Sequence, residues 1–285
     1  PMTPGADLAL FGISVLAGII GALAGVGGGI LVIPALTTIF GVDIHLAIGA
    51  SIVSIIATSS GAAVAYVRDR LTNLRVGMFL EVATSTGAVG GALAAAVVAP
   101  QLLYVLLAAV LGLSVLQQVS RLGEELPPEV VPSRAAASLR LASSYPDQRL
   151  GREVPYAARR VGLGFVMMLV AGFLSGLLGI GSGVLKVLAM DGVMRLPMKV
   201  STATSNFMIG VTAAASAGIY LGRGDVDARL AAPVALGVLA GALLGSRILV
   251  RLRNRQVRLI FVPIMVVVAL QMLAKGLGLH VAFLG

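Results

Sequence analysis

Apolar runs recur along the whole chain, separated by short polar breaks. The first covers residues 7–24, long enough to span a bilayer with modest tilt. It ends in Gly25-Val26-Gly27-Gly28-Gly29, and a shorter apolar run continues to residue 40. As a helix, residues 27–40 would reach roughly 21 Å at 1.5 Å per residue, short of a hydrocarbon core of about 30 Å. That segment is expected to be broken or re-entrant. After a polar break at 41–45, residues 46–67, 76–99 and 102–119 read as further spans, the first of them carrying Ser51, Ser54, Thr58, Ser59 and Ser60. Residues 120–160 lose this character and contain Pro127, Pro128, Pro132, Pro146 and Pro155, which marks an aqueous linker with a short helix near 133–143. The pattern then resumes with spans at 161–178, 200–221, 230–250 and 257–274 and a short run at 183–194 that opens on Gly179-Ile180-Gly181-Ser182-Gly183.

The second half repeats the first. An offset of 154 residues, the separation of Gly25 and Gly179, also pairs Gly27 with Gly181, Gly29 with Gly183, Ser51 with Ser205 and Tyr66 with Tyr220. Arg75/Arg229, Gly87/Gly241, Gly91/Gly245 and Gln117/Gln271 keep the same register. Identities come easily in biased composition, but unbroken register at glycine, tyrosine and arginine indicates duplication. Residues 1–119 form a first transmembrane repeat, 120–160 a cytoplasmic linker and 161–285 a second repeat.

Composition agrees with a membrane protein. Of 285 residues 58% are hydrophobic and 12% charged, against about 25% charged in soluble domains. The net charge of +9 is explained by arginine in cytoplasmic loops rather than by nucleic acid, since aromatics are scarce and tryptophan is absent. Its distribution orients the halves. Loop 68–75 has three arginines and one aspartate, whereas its counterpart 222–229 has two of each; loop 97–104 is uncharged, whereas 251–258 has four arginines. Placing 68–75, the linker and 251–258 in the cytoplasm puts equivalent loops on opposite sides. The expected fold is an all-α polytopic membrane protein of two inverted five-helix repeats. It has about ten segments, some short or re-entrant, with helices broken at the glycine motifs and both termini outside.

The glycine breaks carry the candidate chemistry. Irregular backbone at membrane depth is tolerated where it lines a cavity or is buried in protein, and freed N–H groups favour an anion. Gly27, Gly28, Gly29, Gly181, Ser182 and Gly183 are therefore expected at a substrate site. Lys186 lies three positions beyond Gly183, where a lysine is expensive unless paired or functional. It suits an oxyanion; the alternatives are snorkelling to an interface or pairing with Asp191. Thr204, Ser205 and Asn206 offer donors near the start of the following helix, with Ser51 as the register mate of Ser205; the alternative is capping and helix packing. Glu81 is an acid inside a span, either a proton-coupling carboxylate or an interfacial partner of Arg75 or Arg68. Gly87/Gly91 and Gly241/Gly245 read as helix contact faces, and Tyr66 and Tyr220 as interfacial anchors.

Other chemistries lack residues. There is no cysteine, His45 and His280 have no metal-ligand spacing, and the spans contain no Ser–His or HExxH arrangement. The glycines follow an apolar helix rather than a strand, against a dinucleotide site. No cofactor, metal or nucleic acid is expected.

The glycine pair, the segment Pro197-Met198-Lys199-Val200-Ser201-Thr202-Ala203-Thr204-Ser205-Asn206-Phe207-Met208-Ile209-Gly210-Val211-Thr212-Ala213-Ala214-Ala215-Ser216 and Gly151-Arg152-Glu153-Val154-Pro155-Tyr156 resemble the TauE/SafE family of sulfite and organosulfur-anion exporters. The resemblance covers nearly the whole chain. It implies a bacterial inner-membrane permease for sulfite, sulfoacetate, thiosulfate or a similar sulfur oxyanion. The second motif departs from the family in reading Gly-Ser-Gly where three glycines are usual, and Leu188 stands where the first copy has Pro34. Alternating access between the halves is the expected mechanism, with the anion and membrane lipid as partners and a homodimer left open. The competing readings are an anion channel and a permease for another small organic anion.

Overall fold

The computed structural model describes residues 4–24, 28–120, 134–147, 151–249 and 254–279. Gly25, Gly27 and His280 lie outside these. Its helices follow the apolar runs: α1 (Pro4–Ala24), α2 (Gly29–Thr38), α3 (Ile44–Arg68), α4 (Leu74–Ala95), α5 (Pro100–Ser120), then a short α6 (Arg134–Ser138). The second half has α7 (Val161–Leu178), α8 (Gly183–Val187) continuing into a π-helical turn (Leu188–Val193), α9 (Met198–Gly222), α10 (Ala228–Leu249) and α11 (Asn254–Gly276). Ile44–Arg68, Leu74–Ala95, Val161–Leu178 and Ala228–Gly245 are long and apolar enough to cross a membrane, and shorter apolar helices accompany them. The protein is thus mostly helical and polytopic.

Packing repeats at the same 154-residue offset as the sequence. α1 lies against α10 and α7 against α4, so each half's first helix packs on the other half's fourth. α3 crosses α9, and α5 lies beside α11. Close approach depends on glycine: a Cβ on Gly87 or Gly91 would overlap the carbonyl oxygens of Leu169 or Phe173. One on Gly241 or Gly245 would overlap or crowd those of Val15 or Ile19, the register equivalents. These are the small-residue contact faces expected of membrane helices.

Tyr66 and Tyr220 are not interfacial anchors. Both are fully buried, and their hydroxyls donate to the carbonyls of Ala22 (3.2 Å) and Gly176 (2.5 Å). α1 ends at Ala24 and α7 at Leu178, so these carbonyls belong to the last turn, which has no amide of its own helix to accept. Each tyrosine caps the helix that its half's glycine motif interrupts.

The two interruptions coincide in register. In α2 Pro34 offers no N–H to the helix ladder, and Thr37 and Thr38 hydroxyls donate to Ile33 and Pro34 carbonyls. At the equivalent Leu188 the helix widens into the π turn, closed by Met194 N–H on Ala189 O at 2.9 Å. Different residues loosen the short segment at one place in both halves.

The expected aqueous linker holds α6 and also a hairpin missing from the sequence reading, β1 (Ser143–Asp147) paired antiparallel with β2 (Arg152–Tyr156). Tyr145 and Tyr156 join a buried cluster with Val76, Leu80, Val161 and Met194, which seats the hairpin on the ends of α4, α7 and the π turn. Asn73 is the hub there. Its side chain accepts from Val76 N–H as the N-cap of α4 and donates to the Tyr156 hydroxyl at 3.0 Å.

Candidate functional site

The two glycine breaks meet across α3 and α9. Ser51, in the second turn of α3, donates to Gly179 O at 2.6 Å, and a Cβ on Gly29 would collide with that same hydroxyl and with Ile55. A Cβ on Gly181 would lie 2.7 Å from Ile209 and 3.2 Å from Ile55. One turn of α3 therefore touches both motifs, and glycine is needed in each because the helix passes so near. Gly28 begins α2 without a side-chain cap.

The second motif is the more irregular. Gly179 and Gly181 have φ of 62° and 71°, and Ser182 has φ of 47°. A non-glycine residue in that region costs on the order of 1–3 kcal/mol and persists only where its surroundings hold it. Ser182 is buried, and its hydroxyl has no hydrogen-bond partner among the described residues. Its carbonyl accepts from Lys186 N–H at 2.9 Å, which starts the helical turn that carries the lysine.

Lys186 is completely buried, at 0% exposure. It does not snorkel. Its ammonium donates to the Thr212 hydroxyl on α9, and Thr212 Oγ1 lies 2.7 Å from Glu81 Oε1 on α4. Glu81 Oε2 is 4.0 Å from Lys186 Nζ. Ser85, one turn further along α4, also donates to Oε1 at 2.7 Å, whereas Oε2 has no hydrogen-bond partner among the described residues. Glu81 is thus no interfacial partner of arginine: it is 6% exposed and faces the lysine, while Arg75 donates to Arg140 O and Arg68 to Asp69.

The polar residues of α9 divide. Ser205 donates to Gly183 O at 3.3 Å and so joins the second motif. Thr204 instead accepts from Asn73 N–H at 3.0 Å, fastening α9 to the start of α4. Asn206 donates to Thr202 O, and among the described residues its buried Oδ1 and the buried Ser201 Oγ have no hydrogen-bond partner. Each unsatisfied buried polar group costs about 1–3 kcal/mol. Of these groups Ser182 Oγ, four residues before Lys186, has a proton to donate, whereas Asn206 Oδ1 can only accept.

Two residues here carried no signal on their own. Thr212 reads as one of many hydroxyls in a greasy helix, yet it bridges the buried charges. Ser59 donates to Asn206 O at 2.5 Å and accepts from Gly210 N–H at 3.0 Å, so it fixes the α3–α9 crossing. Neither Gly27 nor the amides before Gly28 can be placed, since they fall outside the described residues.

The sequence matches the family described as sulfite exporter TauE/SafE over residues 10–272. It is similar to the probable membrane transporter protein YunE of Bacillus subtilis (strain 168), 26% identical over 272 residues, which cover 93% of this chain and 96% of the relative. It is also similar to the probable membrane transporter protein YdhB of the same organism, 29% identical over 233 residues, covering 81% and 86% respectively. No solved structure matches. The extent of the family match shows that the chain belongs to the TauE/SafE sulfite exporter family and is a multi-pass membrane transporter.

Proposed function

We propose that the protein exports a small sulfur oxyanion, such as sulfite, thiosulfate or sulfoacetate, across a bacterial inner membrane by alternating access between two inverted halves. The observation that carries this is Lys186, a fully buried cation on the segment that follows the second glycine break. The groups read as binding the anion with it are those of the two breaks and the α3–α9 crossing, Gly28, Gly29, Ser51, Gly181, Ser182, Gly183, Ser205 and Asn206; of their hydroxyls, those of Ser51 and Ser205 donate to Gly179 O and Gly183 O, and that of Ser182 is uncommitted among the described residues. Thr204 contributes through the α4–α9 contact, and Gly27 completes the first motif.

Inversion is supported by where equivalent loops pack. Asn73, in the loop before α4, contacts Leu141 and Tyr156 at the linker end. In the equivalent loop before α10, Arg223 donates to Ala92 O near the far end of α4, and a Cβ on Gly49 would overlap Asp225 O. With arginine-rich loops inside, outward movement of an anion from a negative interior is electrically downhill by about 2.3 kcal/mol per charge per 100 mV.

The test is calorimetry or thermal shift of purified protein against sulfite, thiosulfate, sulfate, sulfoacetate and oxalate. At least one sulfur oxyanion binds the unmodified protein, and Lys186→Ala abolishes that binding. Unchanged affinity in the variant would remove Lys186 from the site.

A further inference from the structure

Lys186 and Glu81 are oppositely charged groups in one buried place, but they do not form a closed salt bridge. Their nearest atoms are 4.0 Å apart, beyond hydrogen-bond reach, with the Thr212 hydroxyl beside both. One carboxylate oxygen, Oε1, lies 2.7 Å from each of the Ser85 and Thr212 hydroxyls, the latter also within 2.9 Å of Met208 O. The other, Oε2, is buried, has no hydrogen-bond partner among the described residues and lies 4.0 Å from the ammonium. The ammonium spends one of its three N–H groups on Thr212, and among the described residues it has donors left.

We infer that Glu81 is an internal stand-in for the substrate anion, and that a bound oxyanion takes its place beside Lys186 while Glu81 Oε2 takes up a proton. This rests on the anion site proposed above. The reason is electrostatic. An oxyanion on the free N–H groups of Lys186 comes to lie against Oε2, and two anionic groups this close in a buried setting cannot both stay ionised. The substrate keeps the lysine, so the carboxylate is neutralised. The proton enters from the aqueous side open to the site, adds to the one unbonded oxygen, and turns Oε2 from acceptor to donor. A group that opposed the anion then hydrogen-bonds it. No other bond is made or broken.

The other ionisable groups on the elements packed around the pair are few. Helix α7, packed along α4, has no ionisable side chain. Helix α9 carries Lys199 in its first turn and Tyr220 near its far end, on either side of Thr212. α8 and the π turn carry Lys186 and Asp191, and the Glu81 carboxylate lies 4.0 Å from Lys186 Nζ. On α4 itself the other charged residue is Arg75, exposed at the linker end.

Thiosulfate is the probe, because its charge is fixed between pH ~5 and pH ~8 and any pH dependence belongs to the protein. Calorimetric titration in two buffers of different ionisation heat counts the protons taken up. The unmodified protein is expected to take up close to one proton per thiosulfate, and its affinity to fall with rising pH, approaching tenfold per unit. Glu81→Gln abolishes the uptake and flattens the profile. Binding by the unmodified protein with no proton uptake overturns the inference and leaves the anion site standing, a result that needs no variant to fold. Uptake that persists in Glu81→Gln also overturns it. Failure to bind any of the sulfur oxyanions defeats the anion site and this inference together.

Discussion

Lys186 is the residue whose importance the chain announces, because a lysine in a short apolar segment has few reasons to be there. Its partner is hidden. Glu81 sits on α4, in the other half of the molecule, and nothing local distinguishes a buried acid from one pairing with nearby arginines. Thr212 is harder still, since hydroxyls in membrane helices usually bond their own preceding turn, as Ser54 and Thr58 do, and Thr212 also reaches Met208 O at 2.9 Å. The tyrosines show the opposite failure. An amphipathic residue near the end of a greasy run looks interfacial, but the shared register of Tyr66 and Tyr220 was the clue that both meet an equivalent helix end. Tyr220→Phe removes the hydroxyl from a carbonyl that has no other donor in its helix. It is expected to lower stability by about 1–3 kcal/mol, measurable by unfolding in detergent with Tyr66→Phe as the matched variant. Unchanged stability in both would contradict the capping role.

At the scale of elements, the long helices were legible because hydrophobic length specifies them directly. The two breaks were legible because glycine clusters have few other uses there. The π turn was not: its only trace is the absence at Leu188 of the proline found at Pro34, and a missing proline predicts no particular geometry. The linker hairpin was concealed by the residues that seemed to exclude it. Pro146 and Pro155 read as breakers, yet a two-stranded hairpin has outer edges where a strand needs no N–H donor. What stabilises it is long-range, the seating of Tyr145 and Tyr156 against α4 and α7. The small-residue faces of α4 and α10 were readable from spacing alone, although their partners, α7 and α1, were not.

At the scale of the molecule, the repeat has a functional meaning. Each half supplies the helix that packs on the other half's first helix, so neither half is a self-contained bundle, and both breaks fall where α3 and α9 cross. The halves are nevertheless unequal: Val32 occupies the place in the first that Lys186 occupies in the second. On the proposed reading a charged site arises from the asymmetry, and a two-sided framework from the duplication. Since the chain has no cysteine, single introduced cysteines test the inverted arrangement cleanly. Ala99→Cys and Gly224→Cys are expected to label from outside intact cells, and Arg70→Cys and Arg159→Cys only after permeabilisation. Labelling of positions 70 and 224 from the same side would mean parallel halves.

Alternating access about Lys186 is tested most directly by isotope exchange in proteoliposomes. Labelled sulfite or thiosulfate trapped inside should leave at a saturable rate that rises when the unlabelled anion is added outside, and Lys186→Ala should abolish both properties. A flux that does not saturate, gains nothing from anion on the opposite side, or persists unchanged in Lys186→Ala would contradict the account.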